Sequence, residues 1–240
     1  MKNIKPVLFS LLLTMMFLMA CQKDVDVFVP DQSFVEEFES YEAAIDSGWT
    51  FINGSVPVNE DRTWQEGSAS GDITAYSPRG SFNHFISANY ESTSSGQGII
   101  SNWAISPTVT MQNGDKIVFY TRSLVYPERD FYRDFVNRLQ LRLNPHNTDA
   151  DVGDGVSVGS FDVLLLDINP EYEEYNSDPD EFVTTAYPPE WTRFEATIAG
   201  LQKPVDGRFA FRYFLEEGGS QANGSEVAID SVAYISISRR

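Results

Sequence analysis

Thirty-five acidic side chains, two histidines and one cysteine define the chemistry open to this 240-residue chain. Zinc is poorly served. His84 and His146 are the only histidines, no HExxH pair occurs, and a single cysteine makes neither a thiolate cage nor an internal disulfide. There is also no Gly-x-Ser-x-Gly elbow, P-loop or dinucleotide fingerprint. Carboxylates remain. Two of them about 5–10 Å apart are enough for glycoside hydrolysis, but the spacing singles out no pair, so the expectation is a non-enzymatic protein. The run Asp149–Gly155 superficially fits a calcium loop. Gly153, however, falls on a ligand position and Ser160 stands where the bidentate glutamate belongs. It reads as a flexible hairpin connection.

Aromatic side chains among charges and prolines offer a second chemistry. Tyr126-Pro-Glu-Arg-Asp-Phe-Tyr132 and the stretch from Glu171 to Tyr187 place rings beside hydrogen-bonding groups. Exposed rings can stack on the apolar faces of sugars while neighbouring polar groups bond the hydroxyls, and loops on a rigid sheet are a usual place for such work. Tyr126, Tyr132, Tyr172 and Tyr175 are the candidate ligand-binding residues. The competing reading is that these rings fold back over a sandwich edge. Trp49, Trp64, Trp103 and Trp191 lie on strand-like runs and are expected in the core, where each buries a large area.

Cys21 carries a third. Lys2 and Lys5 precede an uninterrupted run from Val7 to Ala20 that stops at this only cysteine. The pattern is that of an export signal, and Leu18-Met19-Ala20-Cys21 resembles a bacterial lipobox, with Met19 a less usual choice. The expectation is a signal peptide over 1–20, lipidation of Cys21, and a tether over 21–31. Acyl burial is worth about 0.8 kcal/mol per methylene, and two chains suffice for stable anchoring. The following Gln22-Lys-Asp-Val-Asp26 looks like a surface-export signal, which places the protein on the outer membrane, outward-facing. An arbitrary solvated tether is the alternative.

The first twenty residues hold two lysines and no acid, so the remainder carries 15 basic against 35 acidic residues, a net charge of −20. A nucleic-acid partner is excluded on that ground, since phosphates require a basic stripe. Anionic lipid is equally unattractive, which leaves membrane attachment to the acyl chains. About 210 residues after the tether suffice for one domain with a real core, taken as 32–240.

The periodicity is mostly that of strands. Asn137-Arg-Leu-Gln-Leu-Arg-Leu143 puts three leucines on one face, and Arg208-Phe-Ala-Phe-Arg-Tyr213 repeats the pattern with rings. Ile117–Thr121, Phe161–Leu166 and Trp191–Ile198 are further β-rich runs. Val227–Ile237 changes phase around Asp230-Ser231, which predicts a bulge or a strand buried on both faces. Turn residues separate the runs, and only Ser40–Ser47, stopped by Gly48, reads as helix. These features predict an all-β antiparallel sandwich or jelly roll with one short helix.

Several segments occur in the order expected of one family. Phe34-Val-Glu-Glu-Phe-Glu39, Gly48-Trp49, Trp64, Ser101-Asn-Trp-Ala-Ile-Ser-Pro107, Phe119–Arg122, Arg138–Arg142, Phe161–Pro170, Trp191, Arg208–Phe214 and Ile229–Val232 together resemble the choice-of-anchor J domain, related to the cleaved adhesin domain. The resemblance spans essentially the whole chain after the tether. It implies a jelly-roll module of bacterial surfaces, adhesin-like or carbohydrate-binding, without a general enzymatic activity. It also implies a structural calcium ion where first and last strands meet, bringing Glu37 or Glu39 near Asp230. Ser231 departs from the two consecutive acids common there and removes one potential ligand. The resulting expectation is a surface lipoprotein that binds glycan or another extracellular ligand. The alternatives are an interaction subunit of a surface assembly beside a polysaccharide-uptake system and, further off, a carbohydrate-active hydrolase.

Overall fold

A computed structural model describes residues 29–76, 81–180, 183 and 185–237; the signal run and Cys21 lie outside them. In chain order the elements are β1 (Phe34–Glu36), α1 (Tyr41–Asp46), β2 (Thr50–Asn53), β3 (Gln65–Glu66), β4 (Ile86–Asn89), β5 (Gly98–Ile105) and β6 (Val109–Met111). Then follow β7 (Lys116–Ser123), β8 (Tyr126–Glu128), β9 (Phe131–Arg133), β10 (Leu139–Asn144), β11 (Val163–Ile168), β12 (Thr192–Thr197), β13 (Val205–Gly218) and β14 (Glu226–Ile235). The first sheet runs β12-β7-β14-β4-β3, with β1 also paired to β14. The second runs β11-β10-β13-β5-β2, with β6 also on β13. A small β8–β9 hairpin stands apart. Among the described residues the architecture is an antiparallel sandwich of jelly-roll type with one short α-helix and a 3-10 turn at Tyr90–Ser92, as the strand alternation predicts.

The alternation explains the layers. Leu139, Leu141 and Leu143 of β10 and Phe209, Phe211 and Tyr213 of β13 are buried between the sheets, facing Phe119 of β7 and Tyr234 of β14. Phe119 and Phe211 meet edge-to-face with centroids 4.8 Å apart. Burying each such ring is worth about 1.5–3 kcal/mol. The helix starts where Ser40 Oγ accepts the Ala43 N–H at 3.2 Å and stops at Gly48, whose φ of +100° suits glycine. Gln32 bonds Thr110 through both ends of its amide, at 3.0 and 2.8 Å, so it already belongs to the domain. The predicted phase change in the last strand is a bulge. The β14–β7 register shifts between Asp230 and Ala233, and Ser231 takes φ 50°.

Two expectations need correction. The connection from β10 to β11 is no free hairpin: Val152 and Phe161 are buried on the outer face of the second sheet against Trp103, Ile105 and Ala210. Beneath this flap lies Arg212, 1% exposed. It donates to Ser101 Oγ at 3.0 Å and to the Gly155 and Ser157 carbonyls at 2.5 and 3.1 Å. Its guanidinium sits 3.7 Å over the Phe214 ring and 5.0 Å from that of Trp103. Burial, with Arg142 and Arg138 nearby, lowers its pKa to about 9. Secondly, Trp49, Trp64 and Trp103 are core residues as expected, but Trp191 is only half-buried. It precedes β12 on the outer face of the first sheet, and its indole N–H donates to the Thr74 carbonyl at 2.9 Å.

Candidate functional site

β11 and β12 are the edge strands of their sheets on the same side of the sandwich. The described residues between them, 169–180, 183 and 185–191, run along that open side. Their first half is tied to the β8–β9 hairpin. Tyr175 N–H donates to Asp134 Oδ1 at 2.9 Å and the Asp134 N–H to the Tyr175 carbonyl at 3.1 Å. Ser177 N–H donates to the Tyr132 carbonyl at 2.8 Å, the Tyr132 N–H to Ser177 Oγ at 2.7 Å, and Arg133 pairs with Glu174 at 2.6 Å. The two aromatic-bearing loops therefore form one cluster. Asn169, with φ 60°, turns the chain into it. Its amide donates to the Asn137 and Glu173 carbonyls, each at 2.8 Å.

β11, β12 and the chain between them line a groove of about 710 Å³. Leu166 and Ile168 of β11, Phe194 of β12 and Tyr187 supply apolar wall, while Glu171 and Glu173 bring charge to it. Such a volume with mostly apolar walls and a few polar groups suits a small organic ligand. Tyr187 is buried, with its hydroxyl 2.5 Å from Thr121 Oγ1; burial pushes its pKa up. Asp167 also lines the groove, and both its oxygens are engaged by Arg138 at 2.8 and 2.6 Å. Asp134 is buried beneath the loop junction, and burial raises its pKa to about 6 despite three N–H donors.

The four candidate tyrosines do not share one surface. Tyr175 lines the groove. Tyr172 lies beneath Arg138, its ring 5.1 Å from the guanidinium and its hydroxyl accepting from Nη1 at 2.8 Å. Tyr126 packs against Ile73, Phe85, Leu124 and Ala228, where burial raises its pKa. Tyr132 is 53% exposed on β9. Tyr187 and Phe194, which sequence reading left unassigned, make more of the groove. Phe194 was visible only as an apolar position in a strand.

At the junction of first and last strands, β1 pairs β14 with Glu36 opposite Val232. Ser231 Oγ donates to Glu37 at 2.6 Å, and Asp230 accepts the Ser231 and Tyr76 N–H groups at 2.6 and 2.8 Å. Glu37 and Asp230 thus both bond Ser231, while Glu39 is exposed. Among the described residues no three acidic, histidine or cysteine side chains converge as a metal cluster. Calcium takes six to eight oxygens, and the side chains at this junction alone fall short of that shell.

No family model matches the chain, and no curated protein matches it. Solved structures do. The K1 cleaved adhesin domain of Lys-gingipain from Porphyromonas gingivalis is similar at TM-score 0.54 and 18% identity, over 86% of this chain and 99% of that one. The K3 cleaved adhesin domain of the same protein aligns at TM-score 0.52 and 15% identity, over 87% and 100%. At such identities the likeness is one of fold: the chain has the jelly-roll fold of these adhesin domains.

Proposed function

We propose that this chain is a non-enzymatic, lipid-anchored module of the outer-membrane surface that binds a neutral glycan in the groove between β11 and β12. One observation carries the reading: the ring-bearing chain between β11 and β12, bonded to the β8–β9 hairpin, lines a groove of about 710 Å³ with Tyr175 in its wall. Tyr175 supplies a ring and Glu171 and Glu173 supply hydroxyl acceptors. Those acids, and the −20 charge of the chain after its first twenty residues, repel uronate or sulfated polymers. The adhesin domains that share the fold are consistent with an extracellular binding role. Asp167, committed to Arg138, is a poor partner for a hydrolytic acid pair. A glycan array probed with folded protein tests the reading: neutral oligosaccharides are retained and Tyr175→Ala weakens them, whereas an empty array sinks it.

Anchoring through acylated Cys21, surface exposure and membership of the choice-of-anchor J family belong to the same proposal, supported by the lipobox pattern and by the order of the motifs. So does calcium at Glu37 and Asp230, which would have to draw the rest of its shell from main-chain carbonyls and water.

A further inference from the structure

On the far side of β12 from the groove, the outer face of the first sheet carries a second set of rings. Tyr120 of β7 stands between Arg193 of β12 and Asp230 of β14 in the strand register. Tyr76 stacks on it, centroids 3.7 Å apart and planes within 16°. Tyr76 is fixed from behind, since its N–H donates to buried Asp230 at 2.8 Å. Trp191 meets Tyr76 edge-on at 6.3 Å and is itself pinned by Thr74. Tyr76 is 40% exposed, and Phe82, bonded to Ala75 through its carbonyl, is 79% exposed. Tyr76, Tyr120 and Trp191 are therefore held in place before any ligand arrives, which removes much of the entropy cost of binding.

The basic side chains bordering this step are already paired, and the Glu37 and Asp230 carboxylates nearby add negative charge. Arg193 and Lys116 both pair with Glu195, at 2.6 and 2.5 Å, and Arg122 lies 3.6 Å from Glu190. A rigid aromatic step bordered by paired charges suits a ligand with a flat apolar face and an uncharged, hydroxyl-rich rim. We infer that Tyr76, stacked on Tyr120 beside Trp191, is a second contact surface for a neutral pyranose polymer. This surface is separate from the groove and does not rest on the groove being occupied.

Affinity electrophoresis of the full chain in non-ionic detergent, through gels holding galactomannan, a mixed-linkage β-glucan or polygalacturonate, tests it. Tyr76→Ala removes the outer ring without opening the core, and Tyr175→Ala reports on the groove. The expected result is retardation by at least one neutral polymer and not by polygalacturonate, weakened roughly tenfold in Tyr76→Ala at unchanged melting temperature. The inference is overturned if no neutral polymer retards the protein, if polygalacturonate is preferred, or if Tyr76→Ala binds like the parent. If Tyr175→Ala alone weakens retention, the groove stands and the ring platform falls. Sedimentation showing a dimer that Tyr76→Ala dissociates would assign the face to a second copy and overturn it too.

Discussion

Asp134 and Tyr175, forty-one residues apart, hold each other by two hydrogen bonds: the Tyr175 N–H to the Asp134 carboxylate at 2.9 Å, and the Asp134 N–H to the Tyr175 carbonyl at 3.1 Å. The pairing stitches the β8–β9 hairpin to the chain that borders the groove, and it buries a carboxylate to do so. Desolvation outweighs the donors around it, and the pKa rises to about 6.

That carboxyl makes stability depend on pH. Between its ordinary value of 3.8 and about 6, the folded chain keeps a proton that the unfolded chain has lost, so this group makes stability fall as pH rises through the window. The full effect is on the order of 2–3 kcal/mol. Urea midpoints from pH 3.5 to 7 should show a shallower decline in Asp134→Asn than in the parent, whatever the absolute cost of the substitution. Parallel curves would contradict the assignment.

Arg212 holds the β10–β11 flap against the second sheet through the Gly155 and Ser157 carbonyls. Truncation to alanine leaves those two carbonyls without their donor, Ser101 Oγ keeping the Trp103 indole N–H, and opens a cavity beside Trp103, costing about 3–4 kcal/mol. Lysine lacks the planar fork and the stacking face, so Arg212→Lys should recover little of the loss. Denaturant unfolding measures both, and near-parental stability in Arg212→Lys would show that charge alone suffices.

The calcium proposal predicts a melting temperature that rises in millimolar calcium and falls in EDTA. Asp230→Asn should abolish the response. Melting curves that superimpose with and without the ion would remove calcium from the account.

Lipidation at Cys21 predicts that Cys21→Ser moves the protein from the membrane fraction to the soluble fraction, while protease added to whole cells digests the parent. Membrane retention of the serine variant, or protection of the parent in intact cells, would break that part of the reading.

The strands were legible because their cause is local. Leu139, Leu141 and Leu143 must share a face wherever that strand sits, and Ser40 and Gly48 cap a helix by their own chemistry. The phase break at Asp230-Ser231 was visible for the same reason, since a bulge shifts the alternation. What stayed hidden depends on contacts between distant segments. The groove exists because β11 and β12 are both edges, a property of strand order that no single stretch records. Trp191 sits one residue before β12, where the outward phase sends a ring that composition alone would send inward. Phe161 and Val152 looked like parts of a strand and a loop. Only the sheet beneath them shows that they close a second, smaller core over Trp103. Of the four tyrosines singled out, Tyr175 reached the groove, while Tyr172 was captured by Arg138, the residue just before β10.

The most direct test of the central claim is equilibrium binding of the folded chain to a panel of neutral and anionic glycans, with Tyr175→Ala measured beside it. The account predicts saturable binding of a neutral glycan, weakened several-fold or more by the substitution at unchanged stability, and none of an anionic one. Failure of every neutral glycan to bind a correctly folded sample, or a preference for the anionic ones, would contradict it.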